Sequence, residues 1–174
     1  MPRAERNLDN EDMSISTSNA LTRRAAIGAP LGLLGMLTSC SGGSSGWSQA
    51  DLIEPKVLAQ RLSGDSGARP VLLHVGFPFL YRQRRIPGSV YAGPGDKPEG
   101  LETLKKAVSS LPKTQEIVIY CGCCPWTACP NMKPAFAVLK ELGFTQAKAL
   151  MIETNLSKDW IQMGYPVENG TAGS

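Results

Sequence analysis

The chain has 174 residues, 42% of them hydrophobic, and 18 Lys plus Arg against 15 Asp plus Glu, for a net charge of +3. That near-balance points to neither nucleic acid nor an acidic partner. Once a leader is set aside, the remaining length suits one domain with its own core and leaves no room for a second.

The leader comes first. Arg23 and Arg24 precede an uncharged stretch over 25–37, too short to span a bilayer alone but suited to the apolar region of a signal peptide. The arginine pair resembles a twin-arginine export signal, and Leu37-Thr38-Ser39-Cys40 resembles a bacterial lipobox. The expected organisation is a signal peptide over 1–39, a lipidated Cys40 with a flexible tether over 40–47, a folded domain over 48–168 and a tail over 169–174. A plain secretory signal and an uncleaved anchor are the alternatives for the leader. On the lipoprotein reading the protein sits on a membrane of the bacterial envelope and faces the periplasm. Ser41 lacks the aspartate associated with inner-membrane retention, so the outer membrane is preferred.

Helical and strand patterns then alternate, the mark of an open, mostly parallel α/β sheet with helices on both faces. Ser48 is placed to cap a helix running to about Leu62, with Pro55 in its first turns. A short apolar strand is expected over 71–75. An irregular or helical segment over 77–85 follows, then a short strand ending IPGSVY and a GPGDKPEG loop. A second amphipathic helix covers 101–111, a third begins near Met132 and ends at Gly143, and the last strand covers 147–151. Trp160 belongs to a closing helix that stops at Gly164.

Chemistry is concentrated in Glu116 to Asn131, EIVIYCGCCPWTACPN. Ile117, Val118, Ile119 and Tyr120 are β-branched or aromatic and too few for a buried helix, so they read as a buried strand. Cys121 follows at its end, with Gly122, Cys123, Cys124, Pro125, Trp126, Thr127, Ala128 and Cys129 in the loop before the next helix. A thiol between a strand end and a helix N-terminus faces backbone N–H groups and the positive end of the helix dipole, and both favour its thiolate. Cys121 is therefore the candidate nucleophile.

VLLHVGFPFLYRQRRIPGSVY, IVIYC, LKELGF and the later W-x-x-x-GYPV occur in the order seen in the rhodanese homology domain, which the chain resembles over about 53–167. The resemblance implies that fold. It also implies a sulfurtransferase in which Cys121 carries a persulfide, taking sulfur from a small sulfur-containing donor and passing it to a thiol acceptor.

Departures from the family pattern sharpen the reading. His74-Val75-Gly76 stands where the family has Asp-Val-Arg, Trp126 and Thr127 stand where the loop commonly has an arginine, and Asn155-Leu156 replaces a glycine pair. An arginine fork binds an oxyanion far better than indole and hydroxyl do, which argues against standard thiosulfate chemistry. His74 and Asn155 are candidate supporting residues. Arg85, with Arg82 and Arg84, is a candidate to attract an anionic sulfur compound, against the alternative of a solvated charged face. Trp126 reads as a pocket wall, an exposed aromatic or a hydrophobic plug.

Three uses of the extra cysteines stay open. They form structural disulfides, or one of them resolves a Cys121 persulfide or sulfenate into a disulfide, or Cys121, Cys123, Cys124 and Cys129 hold zinc, copper or an iron–sulfur cluster. No cofactor is expected on the sulfurtransferase reading. The rival reading is a non-catalytic, thiol-redox or metal-binding rhodanese fold whose cysteine cluster is structural.

Overall fold

Val71–His74 (β2) and Ile117–Tyr120 (β5) lie side by side in the computed structural model, which describes residues 46–64 and 69–170. The expected leader, the expected lipidation site at Cys40 and most of the expected tether fall outside those residues. Leu52–Ile53 (β1), Val90–Tyr91 (β4) and Ala147–Leu150 (β6) complete a five-stranded sheet in the order β1-β6-β5-β2-β4, with every neighbouring pair parallel. Arg84–Arg85 (β3) and Glu168–Asn169 (β7) form a separate antiparallel pair. No helix among the described residues is long and apolar enough to cross a membrane.

β5 is the middle strand, and all four of its residues are buried because both faces are covered. Its side chains alternate: Ile117, Ile119 and Cys121 join the core that includes Leu104, Leu139 and Phe144, whereas Val118 and Tyr120 join the one built on Leu58, Ile86 and Trp160. Pro98–Val108 (α3) and Met132–Glu141 (α4) cover the first face, and Pro55–Ser63 (α1) covers the second. Arg61 on α1 forks onto Glu116, Nη1 to Oε1 at 2.7 Å and Nη2 to Oε2 at 2.5 Å, tying the helix to the start of β5.

Boundaries depart from the sequence reading where prolines act. Ser48 caps only a three-residue 3₁₀ turn, Gln49–Asp51, through a capping box. The chain then enters β1, because Glu54, preceding Pro55, is forced into extended backbone (φ −75°, ψ 146°) and α1 begins at the proline. The same device starts α3 at Pro98, inside the stretch expected to be a loop. Residues 77–85 resolve into a short helix, Pro78–Gln83 (α2), and β3. Gly143 ends α4 with a left-handed φ of 86°, as its position suggested. The closing helix is one π-helical turn, Ser157–Ile161, whose Trp160 is wholly buried and donates its indole N–H to the Pro166 carbonyl at 2.8 Å.

At the ends, Trp47 belongs to the domain rather than to a tether, packing its buried ring on Trp126 and Phe136 at 5.5 and 4.7 Å between centroids. Asn169, at the start of the expected tail, pairs with Arg84 in the small sheet.

Candidate active site

Cys121 follows the last residue of β5, and its alternation carries the side chain into the core that faces α3 and α4. The chain then turns at Gly122, whose φ of +81° lies in the left-handed region and whose missing Cβ would sit 2.7 Å from that of Leu156. Leu156 N–H donates to the Gly122 carbonyl at 3.0 Å and Trp126 N–H to the Ile152 carbonyl at 2.8 Å, pinning the loop to the segment after β6. The turn folds three more sulfurs back onto the first. Cys123 Sγ lies 3.3 Å from that of Cys121, 3.1 Å from Cys124 and 3.9 Å from Cys129, and all four residues are free thiols.

These groups compete for one negative charge. Hydrogen bonding with Cys129 and burial raise the Cys121 thiol far above its ordinary range. The same contact stabilises the Cys129 thiolate, and with the Asn131 backbone N–H it brings that group down to about 5. Burial, followed by the Cys123 contact, raises Cys124 to about 12. Negative charge in the pair is therefore favoured on Cys129, at the entry to α4, over Cys121.

Asn131 is a site residue that sequence reasoning missed. Wholly buried, it aims its side-chain N–H₂ at Cys121 Sγ (3.5 Å) and Cys129 Sγ (3.9 Å), while its Oδ1 accepts from Asp96 N–H at 3.1 Å and fixes which end of the amide meets sulfur. In the sequence it looks like an ordinary residue before a helix, where Asn is common as a cap. Its side chain caps nothing here.

His74 ends β2 beside Tyr120, buried among the rings of Tyr81, Tyr91 and Tyr120. Its Nδ1 accepts from Gly76 N–H at 3.4 Å, and its Nε2 has no hydrogen-bond partner. Burial lowers it to about 4, against a smaller opposing effect of the Cys121 backbone, so it is neutral at ordinary pH. Gly76 separates it from the sulfur. A Cβ there would lie 2.5 Å from Cys121 Sγ and 3.0 Å from His74 Cε1, which explains why glycine stands where the family pattern has arginine.

A cleft of about 1150 Å³ opens over Cys121 and Cys123, with Asn155, Arg82, Arg84 and Phe79 among its walls. Arg85 is elsewhere: it pairs with Glu168 and lies over the Tyr81 ring, 4.8 Å from its centroid. Trp126 is a buried plug behind the cysteines, with its indole N–H on Glu153 at 3.3 Å, whereas Pro125, Thr127 and Ala128 are exposed.

No family model and no curated relative matches the sequence. Solved structures do. The rhodanese-like domain of an Anabaena protein is 24% identical over 71% of this chain and 86% of that one, with a TM-score of 0.51. A Bacillus halodurans protein is 25% identical over 71% of this chain and 80% of that one, with a TM-score of 0.54. A thiosulfate sulfurtransferase from Pseudomonas aeruginosa is 26% identical, with a TM-score of 0.51, over 71% of this chain and 20% of that longer one. The described domain has the rhodanese-like fold.

Proposed function

We propose that this domain is a sulfurtransferase that carries sulfane sulfur as a persulfide on Cys121 and delivers it to a thiol acceptor. The observation that carries the reading is the position of Cys121: at the end of the central parallel strand, on the floor of an open cleft, among thiol and amide donors. That is where ligands meet open α/β sheets.

In the loading step Cys121 attacks the outer sulfur of a donor R–S–SH. Its proton passes to the Cys129 thiolate, within 4.8 Å, as the new S–S bond forms and R–S⁻ leaves. In the second step an acceptor thiolate attacks the outer sulfur, and Cys121 departs as the leaving group. Asn131 stabilises whichever sulfur is anionic. Arg82 and Arg84 at the cleft suit a donor or acceptor with an anionic group of its own. As part of the same proposal the protein works at the envelope surface, tethered through a lipid on Cys40. Mass analysis after exposure to a persulfide donor tests the chemistry. The peptide holding Cys121 should gain one sulfur, and Cys121→Ser should not; an adduct unaffected by that substitution refutes the reading.

A second reading has one observation in its favour. The sulfurs of Cys121, Cys123 and Cys129 all lie within 4.8 Å of one another, a spacing that suits a soft metal ion held by thiolates. Copper or zinc retained at one per chain by natively exported protein, and lost with Cys129→Ser, would favour it over sulfur transfer.

A further inference from the structure

A persulfide carrier needs one sulfur, yet Cys121 sits in contact with a second that reaches the same cleft. Cys121 and Cys123 both line that cavity, Cys123 is half-buried, and their Sγ atoms are 3.3 Å apart. Gly122 between them supplies the bend that bridging residues two apart requires, because its left-handed φ of 81° turns the Cys123 side chain back toward Cys121. Cys124 lies closer to Cys123, at 3.1 Å, but adjacent Cα atoms across a trans peptide are only about 3.8 Å apart, below the roughly 4.4–6.8 Å that a disulfide spans. Cys129 is farther from Cys123 than Cys121 is, at 3.9 Å against 3.3 Å. Cys121 is the partner that geometry leaves to Cys123.

We propose that Cys123 is a resolving thiol, so that the protein releases sulfane sulfur as hydrogen sulfide as well as handing it on. The inference rests on the Cys121 persulfide. Cys123 loses its proton and attacks Cys121 Sγ, the bond from that atom to the outer sulfur breaks, and a Cys121–Cys123 disulfide forms. The outer sulfur leaves as hydrosulfide with both electrons of the broken bond, and with the proton shed by Cys123 it becomes hydrogen sulfide. The outer sulfur is reduced by two electrons and the pair of cysteines is oxidised by two. An external dithiol reopens the disulfide by exchange and is itself oxidised, so the sum is a sulfane sulfur plus a dithiol giving hydrogen sulfide plus a disulfide.

The test uses the full chain, freed of metal, reduced, exposed briefly to inorganic polysulfide and desalted. Wild-type protein should release hydrogen sulfide and end with Cys121 and Cys123 cross-linked, lacking two hydrogens by mass. Cys123→Ser and Cys123→Ala should lose the sulfide burst and hold the added sulfur on Cys121, and Cys124→Ser should still give the cross-link. Circular dichroism confirms that each variant is folded. Sulfide release from the Cys123 variants at the wild-type rate, or a persulfide that persists in the wild type, overturns the resolving role while leaving the carrier role intact. Absence of any sulfur adduct on the Cys123 variants, together with no sulfide from the wild type, overturns both.

Discussion

Gly76→Ala probes the packing on which the Cys121 chemistry depends. An added Cβ would stand 2.5 Å from Cys121 Sγ and 3.0 Å from His74 Cε1, against an optimal separation of about 3.5–4 Å for nonbonded carbon atoms. The sulfur must therefore retreat by about 1 Å, or β2 and β5 must part. Neither movement is free. β2 and β5 are paired along four residues in the centre of the sheet, and the sulfur already has Cys123 Sγ at 3.3 Å and the Asn131 amide nitrogen at 3.5 Å. Overpacking of this kind costs about 1–3 kcal/mol. With a urea slope of about 1–3 kcal/mol per molar, the unfolding midpoint should fall by about 1 M. Tryptophan fluorescence in a urea titration measures the midpoint, and mass analysis after polysulfide exposure measures sulfur on Cys121. Gly88→Ala is the control: its φ of +75° carries backbone strain, but a Cβ there meets nothing within 4 Å, so it should lower stability without touching sulfur loading. If Gly76→Ala keeps the wild-type midpoint and loads sulfur normally, the close approach that defines the site is wrong.

Other expectations follow from charge. Because burial holds folded His74 at about 4 against 6.5 for the free group, the unfolded chain binds the proton first. Stability should then fall by about 3 kcal/mol as pH drops from about 6.5 to about 4 and level off below, and His74→Phe should lack that part of the acid slope in urea midpoints taken across the window. The thiolate absorbance of the reduced protein should titrate near pH 5 and move toward the ordinary cysteine range in Cys129→Ser; an unchanged titration would remove Cys129 as the resting anion. Replacing both Arg82 and Arg84 by Gln should raise KM for anionic sulfur donors while leaving kcat near wild type, and equal effects on a neutral donor would show that the pair does not read charge.

The central sheet was legible because its strands carry their burial in composition. Ile117–Tyr120 is apolar at every position, as a strand covered on both faces must be, and nothing in local propensity competes with that reading. β1 was hidden for the opposite reason: two residues give no period, and Ser48 offered a cap that belongs to a 3₁₀ turn. β3 and β7 were hidden because their pairing joins Arg84 to Asn169 across most of the domain. At the site, the density of cysteines was plain in the sequence, but the bend at Gly122 decides which sulfurs meet. Three arginines within four residues could not be sorted by pattern either. Arg82 and Arg84 line the cleft while Arg85 is taken by Glu168, a partner far along the chain.

The departures from the family pattern have a shared physical consequence. An arginine-lined loop stabilises an anion with full positive charge, which suits a hard oxyanion. Here the position of one arginine is Gly76, too close to Cys121 for any side chain, and the hydrogen-bond donors around the sulfur are thiols, the Cys123 backbone N–H and the Asn131 amide. Such donors are weak and neutral. They stabilise a diffuse sulfur anion without binding sulfate-like groups strongly, and they place the nearest cations, Arg82 and Arg84, at the cleft wall rather than on the reacting atom. A site built this way should select donors by soft sulfur–sulfur contact at the floor and by charge only at a distance. It also places a second thiol 3.3 Å from Cys121 Sγ, so on the proposed sulfur-transfer chemistry the substitution of sulfur for guanidinium would alter both which donor is taken and how long the product lasts.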